Sequence, residues 1–571
     1  MDFKEKVAGV ISKQVDLPKE QILALLVPAP QGLGDYAFPC FTLAKEMKKS
    51  PVEVSALLAT KIKAPFIEKV ETKGPYLNFF LAKTALSQSV LDEIFSGNAF
   101  EKRLKNEKGK LMVEYSGPNT NKPLHLGHLR NNSLGLAIAN LLETTGNKVI
   151  KANIVNDRGI HICKSMLAYK MFAKGKTPKS EGKKSDHFVG DMYVLFAKEA
   201  EKDPVLEDKA KEMLKKWEEN DKETIEIWEK MNKWALDGMK ETYKEFGSKF
   251  DEWFIESDFF RRKEGQKIVE EGLAKKIFKR EDNGAITAVL EPTLPNKIIM
   301  RGDGTALYAT NDLGVTQYRF DNFDIGGCMW VVANEQDLYF KQLFKMFELL
   351  GRKWAKKCFH VSYGMVNLTS GKMKSREGTV VDADNLIEEM KTLALEELEK
   401  RYPSLSAKEK SKRAKAIALG AIKFYLLKND AKKDITFDPK QSISFDGETG
   451  PYMQYAYARA KSILRKAKEE KISYKKEGFD LLVHEKEKEL INALAAFPAQ
   501  VEKSKEVLSL HPLCHNLLQI AEKFNSYYHE VPILKSESKE LACARLALVE
   551  ATTIIIKKGL AILDIEAIEE M

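Results

Sequence analysis

The spacing of hydrophobic residues separates the chain into regions of different periodicity. Near the start, Ser50-Pro51-Val52-Glu53 has the pattern of a helix capping box with proline at the first helical position, and apolar residues at helical spacing follow it. After a Gly-Pro break, Tyr76–Leu81 is a short apolar run typical of a strand. The polar stretch 101–110 is a candidate linker. We therefore predict a small α/β domain over residues 1–105.

The next region has the strand–helix–strand order of a parallel sheet. A short apolar run at 111–115 predicts a strand, and residues 126–145 have helical character after an intervening turn. Lys148–Val155 predicts the next strand. Because a helical crossover joins parallel strands, we predict an α/β domain with a parallel sheet over residues 106–385.

Two stretches are largely helical in pattern. Residues 171–250 are rich in Lys and Glu, and we interpret them as a helical insertion in the α/β domain. Residues 386–571 are almost entirely helical in pattern, and their leading part bridges from the sheet. The predicted breaks in this last region are at Pro403, Pro439, Gly450-Pro451, Pro498 and Pro512.

Composition indicates how many domains to expect and in which cellular compartment. A chain of 571 residues is several times a typical single domain, so about three domains are expected. Its 92 Lys and Arg residues against 83 Asp and Glu give a net charge of +9, which permits a polyanionic partner without requiring one. The six cysteines have no metal-knuckle spacing, and no segment has the character of a signal peptide or membrane span. We expect reduced thiols in a cytoplasmic protein with no membrane contact.

The segment EYSGPNTNKPLHLGH, from Glu114 to His128, carries the strongest chemical signal. It follows a predicted strand and opens a predicted helix, where free backbone N–H groups and the helix dipole favour anions such as nucleotide phosphates. Gly127 lacks a side chain where the backbone could approach a ligand closely. His125 and His128 are three residues apart, so a helical turn places them on one side, where both imidazoles could donate to a phosphate.

Two other interpretations of these histidines stay open from the residues alone. A His-x-x-His pair can bind a metal, although no third ligand is evident nearby, and it can also be ordinary helix surface. The turn Ser116-Gly117-Pro118-Asn119 and the nearby Lys122 favour the nucleotide site.

His125-Leu-Gly-His128 resembles the HIGH signature of class I aminoacyl-tRNA synthetases, and EYSGPNTNKPLHLGHLRN resembles the form found in the arginyl enzymes. The resemblance covers nearly the whole chain and is weakest over 171–250. It implies a Rossmann-like catalytic domain with insertions, a small N-terminal α/β domain that contacts tRNA, and a C-terminal α-helical anticodon-binding domain. The residues it implies at ATP around this signature are Pro118, His125, Gly127 and His128.

The second class I signature, usually KMSKS, is expected far downstream. The stretch GKMKSR at 371–376 is similar in kind, but Ser375 occupies the fourth position of the pattern and Lys374 stands one place early. The arginyl enzymes commonly have such a degenerate loop, and a lysine just before HIGH, here Lys122, is thought to supply the missing charge. Cations on the triphosphate would stabilise the leaving pyrophosphate, although the segment alone would be a solvated basic loop. The implied ATP contacts of this loop are Lys372, Met373, Lys374 and Ser375, with Lys122, Lys372 and Lys374 also catalytic.

A site that selects arginine must present carboxylates to a guanidinium, because paired N–H···O bonds fit that fork. The segment GDGTALYATNDL at 302–313 resembles an element of the arginyl family that places Tyr308 and Asp312 at the substrate side chain. A helix starting near Thr310 could bring the two together. Asp312 would exclude neutral amino acids and, more weakly, lysine. Separately, Asp312 could be a helix cap and Tyr308 a core residue.

Four further residues complete the implied arginine site. Glu114 and Asn119 match family positions that hold the α-amino and carboxylate ends of the substrate. Ser116 lies in the same turn, and Gln336 in the segment ANEQDL matches a further position of the pocket.

Two regions near the ends of the chain suggest contacts with RNA. GDYA at 34–37 and GPYLNF at 74–79 resemble the family's N-terminal addition, which contacts the tRNA corner, although a packing module is the alternative. GPYMQYAYARA at 450–460 resembles the helical anticodon-binding domain, where aromatic residues near cations suit splayed-out bases. We predict tRNA contacts at Arg459 and Tyr452, and we expect Tyr452 and Tyr455 to lie partly in the core.

The resemblance implies a two-step reaction. L-arginine and ATP give arginyl-adenylate and pyrophosphate, and the terminal ribose of tRNA(Arg) then takes the arginine with release of AMP. Mg²⁺ is expected to accompany ATP without a tightly bound protein metal. The family is mostly monomeric, and its members usually need tRNA before they activate arginine.

Three alternatives remain at this point. A small-molecule nucleotidyltransferase would share the HxGH turn but leaves the helical C-terminal region and the basic loop unexplained. A non-catalytic RNA-binding paralogue does not account for both signatures together with the pocket residues. A class I enzyme for another amino acid gives no reason for Glu114 and Asp312.

Overall fold

A computed structural model describes residues 3–30, 32–97, 109–368, 381–472 and 475–571. The first part is an α/β unit whose strands are β1 (Val27–Pro28), β2 (Tyr36–Pro39), β3 (Ile67–Lys73) and β4 (Tyr76–Leu81). They form an antiparallel sheet in the order β1-β2-β4-β3. The helices of this part are Phe3–Ile11, Lys19–Leu25, Phe41–Met47, Pro51–Lys61 and Lys83–Ser96.

The predicted capping box is confirmed at Ser50. The Glu53 N–H donates to the Ser50 hydroxyl at 3.2 Å, and the Ser50 N–H donates to the Glu53 carboxylate at 2.8 Å. Two backbone donors that the helix itself leaves unpaired are satisfied in this way. The predicted strand at Tyr76–Leu81 is also confirmed.

A five-stranded sheet forms the centre of the molecule, and all its strands are parallel. They are β5 (Lys110–Glu114), β6 (Lys148–Val155), β7 (Glu252–Ile255), β11 (Gly327–Ala333) and β12 (Cys358–Tyr363). The order is β12-β11-β5-β6-β7, which confirms the predicted parallel sheet. The chain leaves β5 towards β6 on one side and returns at β11 on the other. The carboxyl ends of β5 and β11 therefore form a switch point, where open parallel sheets bind ligands.

Helices connect these strands and make up the insertion, whose helical prediction is confirmed. The helices are Leu126–Thr144, Ile160–Phe172, Ser185–Lys202, Val205–Glu218, Lys222–Phe246, Glu256–Arg262, Glu264–Ala274, Tyr308–Phe323 and Asp337–Leu349. Short 3-10 helices lie at Asn334–Gln336 and Lys353–Lys357. The strands β8 (Phe278–Arg280), β9 (Ile286–Ala288) and β10 (Lys297–Met300) form a separate antiparallel sheet.

The last region is helical, as predicted, but it departs from the prediction at two points. Its helices are Ala383–Arg401, Ala407–Leu427, Pro439–Ser442, Gly450–Glu469, Glu485–Val507, His511–Glu530 and Lys539–Ile562, with a 3-10 turn at Phe479–Leu481. A short strand, β14 (Ile435–Phe437), pairs in parallel with β13 (Val366–Leu368) inside the region predicted as helix. The predicted break at Pro498 is wrong, because the helix Glu485–Val507 continues through it.

Packing explains why this helix continues. A proline inside a helix removes one backbone hydrogen bond and costs about 3 kcal/mol. Pro498 is buried together with Phe497 and Val501, and their helix packs against the helices His511–Glu530 and Lys83–Ser96. Burial of these apolar side chains offsets the local cost of the proline.

Three hydrophobic cores join these parts. One core connects the N-terminal unit, one face of the central sheet and the C-terminal helices. A second lies between the insertion helices and the helices from 383 to 427, and a third covers the other sheet face beneath Tyr308–Phe323. Because packed cores deform little, the switch point is held in a rigid frame. No helix among the described residues is long and apolar enough to cross a membrane.

Candidate active site

A cavity of about 800 Å³ opens at the carboxyl ends of β5 and β11. Its walls come from the turn after β5, the start of the helix Leu126–Thr144, one face of the helix Tyr308–Phe323 and the segment after β11. This volume is in the range of ligand sites for small molecules and cofactors. The cavity brings together these residues predicted from the sequence: Glu114, Ser116, His125, Gly127, His128, Tyr308, Asp312 and Gln336.

The two histidines form a short hydrogen-bonded turn at the start of the helix Leu126–Thr144. Gly127 N–H donates to Nδ1 of His125 at 3.1 Å, and His125 N–H donates to Nδ1 of His128 at 3.1 Å. The ring centroids are 4.0 Å apart. Because both Nδ1 atoms accept, the proton of each neutral ring lies on Nε2. Each ring therefore keeps one N–H donor for a ligand.

Both imidazoles are uncharged at neutral pH. Burial, followed by the positive charge of Lys122, lowers the pKa of His125 to about 3. Burial and the adjacent His125 lower the pKa of His128 far below its ordinary value. Neutral rings of this kind can stabilise phosphate oxygens as oriented dipoles.

Glycine at position 127 leaves room for the ring of His125, a close contact that the sequence did not indicate. A Cβ at Gly127 would lie 3.0 Å from Cε1 and Nδ1 of the His125 ring, which folds over the Gly127 N–H. In the same helix, a Cβ at Gly135 would lie 2.2 Å from Cγ of Tyr115. The helix thus packs directly against the end of β5, and this contact fixes the position of the histidine turn.

At the other side of the cavity, a buried ion pair joins two elements. Glu114 is the last residue of β5, and its carboxylate pairs with the guanidinium of Arg319. Glu114 is 7% exposed and Arg319 is fully buried. The rings of Phe254 and Trp330 lie 4.4 and 5.8 Å from the guanidinium carbon. Both charged groups line the cavity.

One face of the helix Tyr308–Phe323 supplies Tyr308, Asp312, Thr316 and Arg319 to the cavity wall. Residues at this spacing lie on one side of a helix through three turns. The helix begins at Tyr308, slightly before Thr310, near which the sequence predicts its start. Tyr308 and Asp312 are therefore one turn apart, and both face the cavity.

Asp312 lies in surroundings that oppose its charge. The Tyr339 hydroxyl donates to its carboxylate, and the ring of Tyr308 lies 5.5 Å from that of Tyr339. Burial, together with the negative charges of Glu114 and Glu256, raises the pKa of Asp312 to about 8. A carboxyl group held in this way gains most from a cation that enters the cavity.

Ser116 and Gln336 line the cavity in different ways. Ser116 has a left-handed φ of 79°; its N–H donates to Oδ1 of Asn131 at 2.5 Å, and its hydroxyl lies 2.6 Å from that of Tyr243. These bonds use the polar atoms of Ser116 within the cavity wall. Gln336 is exposed at the end of the 3-10 turn after β11. Its amide is available to a ligand.

Two residues of the turn lie outside this cavity. The carbonyl of Pro118 accepts a hydrogen bond from the Asn156 N–H at 3.0 Å, and the Pro118 side chain is buried. Asn119 is exposed and forms a parallel β-bridge with Asn156. Both residues therefore join the turn to the chain after β6 and do not line the cavity wall.

Lys122 lies beside His125 in a smaller cavity of about 160 Å³. Burial lowers the pKa of Lys122. The insertion closes this side, since a Cβ at Gly190 would lie 2.7 Å from Cδ of Pro123. The predicted ATP contacts Lys372, Met373, Lys374 and Ser375 lie outside the described residues.

The chain that follows the basic loop forms backbone hydrogen bonds with the histidine turn. Backbone hydrogen bonds of 3.0 and 3.1 Å join residues 381–383 to residues 124–126. The carboxylate of Asp384 lies 3.0 Å from Nε2 of His187 and 2.6 Å from Nζ of Lys184, both in the insertion. Residues 381–384, which follow the basic loop, therefore contact both the histidine turn and the insertion.

A second cavity, of about 760 Å³, lies among the C-terminal helices and is rich in cations and aromatic rings. Arg459 lines it, with its guanidinium carbon 4.6 Å from the ring centroid of Tyr455 and 5.1 Å from that of Tyr528. Tyr452 lies behind the cavity, where its hydroxyl accepts from Nδ2 of Asn525 at 3.0 Å. Arg459 faces a space suited to a base, whereas Tyr452 belongs to the packing beside it.

Sequence reasoning missed Arg319, Tyr339 and Asn131. Arg319 follows Tyr308 by 11 residues, which is three helical turns, so the face of the helix could have revealed it. Tyr339 comes from the next helix, and no local spacing relates it to Asp312. Asn131 donates to the Val331 carbonyl at 2.7 Å and joins the histidine helix to β11, a contact that only the sheet order creates.

A parallel sheet with its cavity at the switch point and a His-x-Gly-His turn after the first strand is the arrangement expected of a class I aminoacyl-tRNA synthetase catalytic domain. Residues 90–439 match the family model for the catalytic domain of tRNA synthetases class I (R). Residues 1–81 match the arginyl tRNA synthetase N-terminal domain, and residues 453–571 match the DALR anticodon binding domain. The chain belongs to the arginyl-tRNA synthetase family.

Relatives and solved structures match the chain over its whole length. The arginine–tRNA ligase of Treponema denticola is 43% identical over 568 residues, which cover 97% of this chain and 95% of that protein. The arginine–tRNA ligase of Bacteroides fragilis is 40% identical over 562 residues, 94% of each chain. The arginyl-tRNA synthetase structure from Thermus thermophilus has a TM-score of 0.80 at 26% identity and covers 100% of this chain and 99% of its own. The resemblance and the fold class predicted from the sequence are confirmed.

Proposed function

We propose that this chain is an arginine–tRNA ligase. A single cavity carries the proposal, because it holds carboxylates for a guanidinium on one side and neutral imidazole donors for phosphates on the other. An oxygen of the arginine carboxylate attacks the α-phosphate of ATP, the bond to pyrophosphate breaks, and arginyl-adenylate forms. A hydroxyl of the 3′ terminal ribose of tRNA(Arg) then attacks the adenylate carbonyl, and AMP leaves. Positioning and charge stabilisation suffice for both steps without a protein nucleophile.

The substrate guanidinium pairs with Asp312 and Glu114 in this proposal. Asp312 has a raised pKa, so a cation beside it recovers the energy that burial costs the carboxylate. Glu114 keeps one oxygen for the substrate while Arg319 takes the other. Tyr308 packs along the substrate stem. Because Glu114 and Asp312 lie in one charged cluster, the guanidinium is a better partner for Glu114 than the α-amino group that the resemblance implies.

Two residues at the rim complete the arginine end of the cavity in this proposal. Gln336 reaches the α-amino and carboxylate end of the substrate from the segment after β11. Ser116 shapes the wall through its bonds to Asn131 and Tyr243. Asn119, which is exposed outside the cavity, would contact the substrate only if the turn rearranged.

The Nε2–H groups of His125 and His128 stabilise the phosphates in this proposal. Charge moves onto the α-phosphate oxygens and the leaving pyrophosphate as the reaction proceeds, and fixed donors favour that state over the ground state. Lys122, next to His125, adds a positive charge, and Lys372 and Lys374 supply the remainder from the basic loop. Pro118 sets the backbone of the turn, while Met373 and Ser375 are further contacts for ATP.

Mg²⁺ enters with ATP in this proposal. The histidine turn offers imidazole and backbone N–H donors, which suit phosphate oxygens and not a hard cation, so the triphosphate and water would hold the ion. When bound, Mg²⁺ neutralises charge on the triphosphate. The protein's own contribution is to orient that triphosphate.

The C-terminal cavity gives tRNA a second contact, far along the chain from the catalytic cavity. Arg459 between Tyr455 and Tyr528 would hold an unstacked base or its phosphate, with Tyr452 as support from behind. In this proposal each predicted domain has its own role. Residues 1–105 contact the tRNA corner, residues 106–385 with the insertion near 171–250 carry out the chemistry, and residues 386–571 bind the anticodon. We further propose a cytoplasmic monomer.

The test is aminoacylation of total tRNA by the purified protein with arginine, lysine or citrulline. Charging with arginine alone is expected, because citrulline keeps the shape of arginine but leaves both carboxylates without a cation. ATP–pyrophosphate exchange with and without tRNA then tests whether activation depends on tRNA, as we propose. Folded protein that charges tRNA with none of the three would identify the non-catalytic paralogue instead.

A further inference from the structure

The arginine side of the cavity already contains a guanidinium. Arg319 is fully buried, lines the cavity and pairs with Glu114. Its Nε and Nη1 atoms have no oxygen or nitrogen acceptor among the described residues, and only the thiol of Cys328 lies beside them. Aromatic rings, Phe254 and Trp330, cover the rest of the group. Arg319 therefore has one strong partner, which is the carboxylate of Glu114.

This arrangement sets the charge that the cavity offers to a ligand. On the arginine side of the cavity stand two carboxylates, Glu114 and Asp312, and Arg319 balances one of them. A third carboxylate, Glu335, lines the cavity from the exposed segment after β11. Another nearby acid, Glu256, lies 3.7 Å from Nη1 of Arg158, a cation that it shares with Glu218. Once Asp312 is ionised, one negative charge therefore remains on the arginine side of the cavity, and a single guanidinium neutralises it.

The pair also fixes the direction of Glu114. Arg319 holds Oε2 of this carboxylate, so Oε1 is left for the ligand. A carboxylate that bridges two guanidinium groups keeps one orientation, because rotation would break a buried charge-assisted bond. The substrate then meets a preorganised oxygen and does not have to order one.

We propose that Arg319 is a positioning residue that determines specificity for arginine. It holds Glu114 by one oxygen and balances its charge, so that on the arginine side of the cavity only the charge of ionised Asp312 is left for one substrate guanidinium to neutralise. The proposal rests on the proposed function, since it concerns the same reaction. Arg319 acts through Glu114 and does not need to touch the substrate.

Because of the groups that face Asp312, the pH dependence of KM for arginine tests this proposal. Asp312 is surrounded by the hydroxyls of Tyr308 and Tyr339, the carboxylates of Glu114 and Glu256, and the guanidinium of Arg319. In wild-type protein, Asp312 is the group that must lose a proton when arginine binds. Without the Arg319 cation, Glu114 and Asp312 repel each other directly, and the pair binds more protons before arginine arrives.

The experiment compares wild-type protein with Arg319→Met and Arg319→Lys in aminoacylation across a range of pH. Arg319→Met should raise KM for arginine at neutral pH by about 30-fold and leave KM for ATP within about threefold. Its KM for arginine should also depend on pH more steeply than that of wild type. Arg319→Lys should recover part of the loss, because it restores the charge but not the paired geometry.

Arg352→Met is the matched control. Arg352 pairs with Glu271 at 2.6 and 3.0 Å and donates to Gln317 at 2.7 Å, on a side of the helix Tyr308–Phe323 away from the cavity. Its loss should leave the pH profile of KM for arginine unchanged. If Arg319→Met does not fold, the double variant Glu114→Gln/Arg319→Met removes both buried charges. Its KM for arginine should then equal that of Glu114→Gln alone.

The outcomes separate this inference from the proposed function. A wild-type protein that charges no tRNA with arginine overturns the proposed function itself. An active wild type whose Arg319 variants raise KM for ATP as much as KM for arginine, or keep the wild-type pH profile, overturns only the role of Arg319. A selective rise in KM for arginine with a steeper pH profile supports that role.

Discussion

The two sides of the catalytic cavity bind charge by opposite means. At the histidine turn, burial keeps His125 and His128 neutral, and backbone hydrogen bonds direct their remaining N–H donors. On the helix Tyr308–Phe323 and at the end of β5, the ionisable side chains of Asp312, Glu114 and Arg319 face the cavity. The substrate guanidinium carries its charge from the start, whereas charge on the phosphates increases during the reaction. Ionic partners therefore suit selection, and neutral oriented donors suit rate.

This contrast implies that variants on the two sides change different kinetic constants. A lost donor at the histidine turn should lower kcat, because its bond strengthens in the transition state. A lost charge on the other side should raise KM for arginine, because its bond exists before the reaction begins. The predictions below use this separation, from the largest expected effect to the smallest.

His128→Ala should lower kcat for aminoacylation by about 100- to 1,000-fold, the usual cost of removing one oriented donor to a developing charge. KM for arginine should change little. Steady-state kinetics with each substrate varied in turn measures both constants. His515→Ala, on the exposed side of the helix His511–Glu530, is the control and should match wild type. A rise in KM for arginine as large as the fall in kcat would contradict the distinction between the two sides of the cavity.

Asp312→Asn should raise KM for arginine by about 100-fold, because the guanidinium loses a buried charged partner. The value of kcat at saturating arginine should fall much less. Burial raises the pKa of Asp312 to about 8, so folding near neutral pH requires this carboxyl to take up a proton, which costs stability, and Asn removes that cost. Thermal unfolding should therefore show an unchanged or higher Tm. A large fall in Tm would point to a structural role for Asp312.

The pH dependence of the two constants should also differ. Below the pKa of Asp312, about 8, the protonated form dominates, and arginine must displace the proton to bind. KM for arginine should therefore fall by about tenfold for each pH unit as the pH rises towards that value, and then level off. The pKa of His125, about 3, predicts no change in kcat from that ring over the same range. Asp312→Asn should abolish the slope in KM, and a slope that persists would assign it to another group.

Arg459→Ala should raise KM for tRNA by about fivefold, as expected for one partly exposed cation at an RNA contact. KM for arginine and for ATP should not change, because the C-terminal cavity is separate from the catalytic one. Arg352→Ala serves as the matched control on the catalytic domain. Tyr452→Phe should have a smaller effect than Arg459→Ala, since the Tyr452 hydroxyl only accepts from Asn525.

The histidine side was largely predictable from the sequence, and the charged side only in part. Strand, turn and helix follow one another over residues 110–144, so local order alone places His125, Gly127 and His128 together. Tyr308 and Asp312 were predicted from the resemblance to the family, and they lie together because one helix carries both. Short-range spacing is reliable because the geometry of one helix or one turn decides it.

The remaining contacts depend on long-range packing. Arg319 meets Glu114 only because the helix Tyr308–Phe323 crosses the end of β5, and sheet order determines that crossing. Asn119 was expected at the substrate, but its turn pairs with Asn156 after β6 and leaves its side chain exposed. The predicted break at Pro498 was wrong for a related reason, since burial against a neighbouring helix outweighed the local preference of proline. In each case a distant partner, absent from the local sequence, decided the outcome.

The most direct test of the two-sided cavity is a crystal structure with a non-hydrolysable analogue of arginyl-adenylate. We predict that its guanidinium pairs with Glu114 and Asp312 while Arg319 stays on Glu114. The group that replaces the phosphate should lie within hydrogen-bond distance of Nε2 of His125 and His128. An analogue bound in the reverse direction, or in another cavity, would contradict the assignment of both sides.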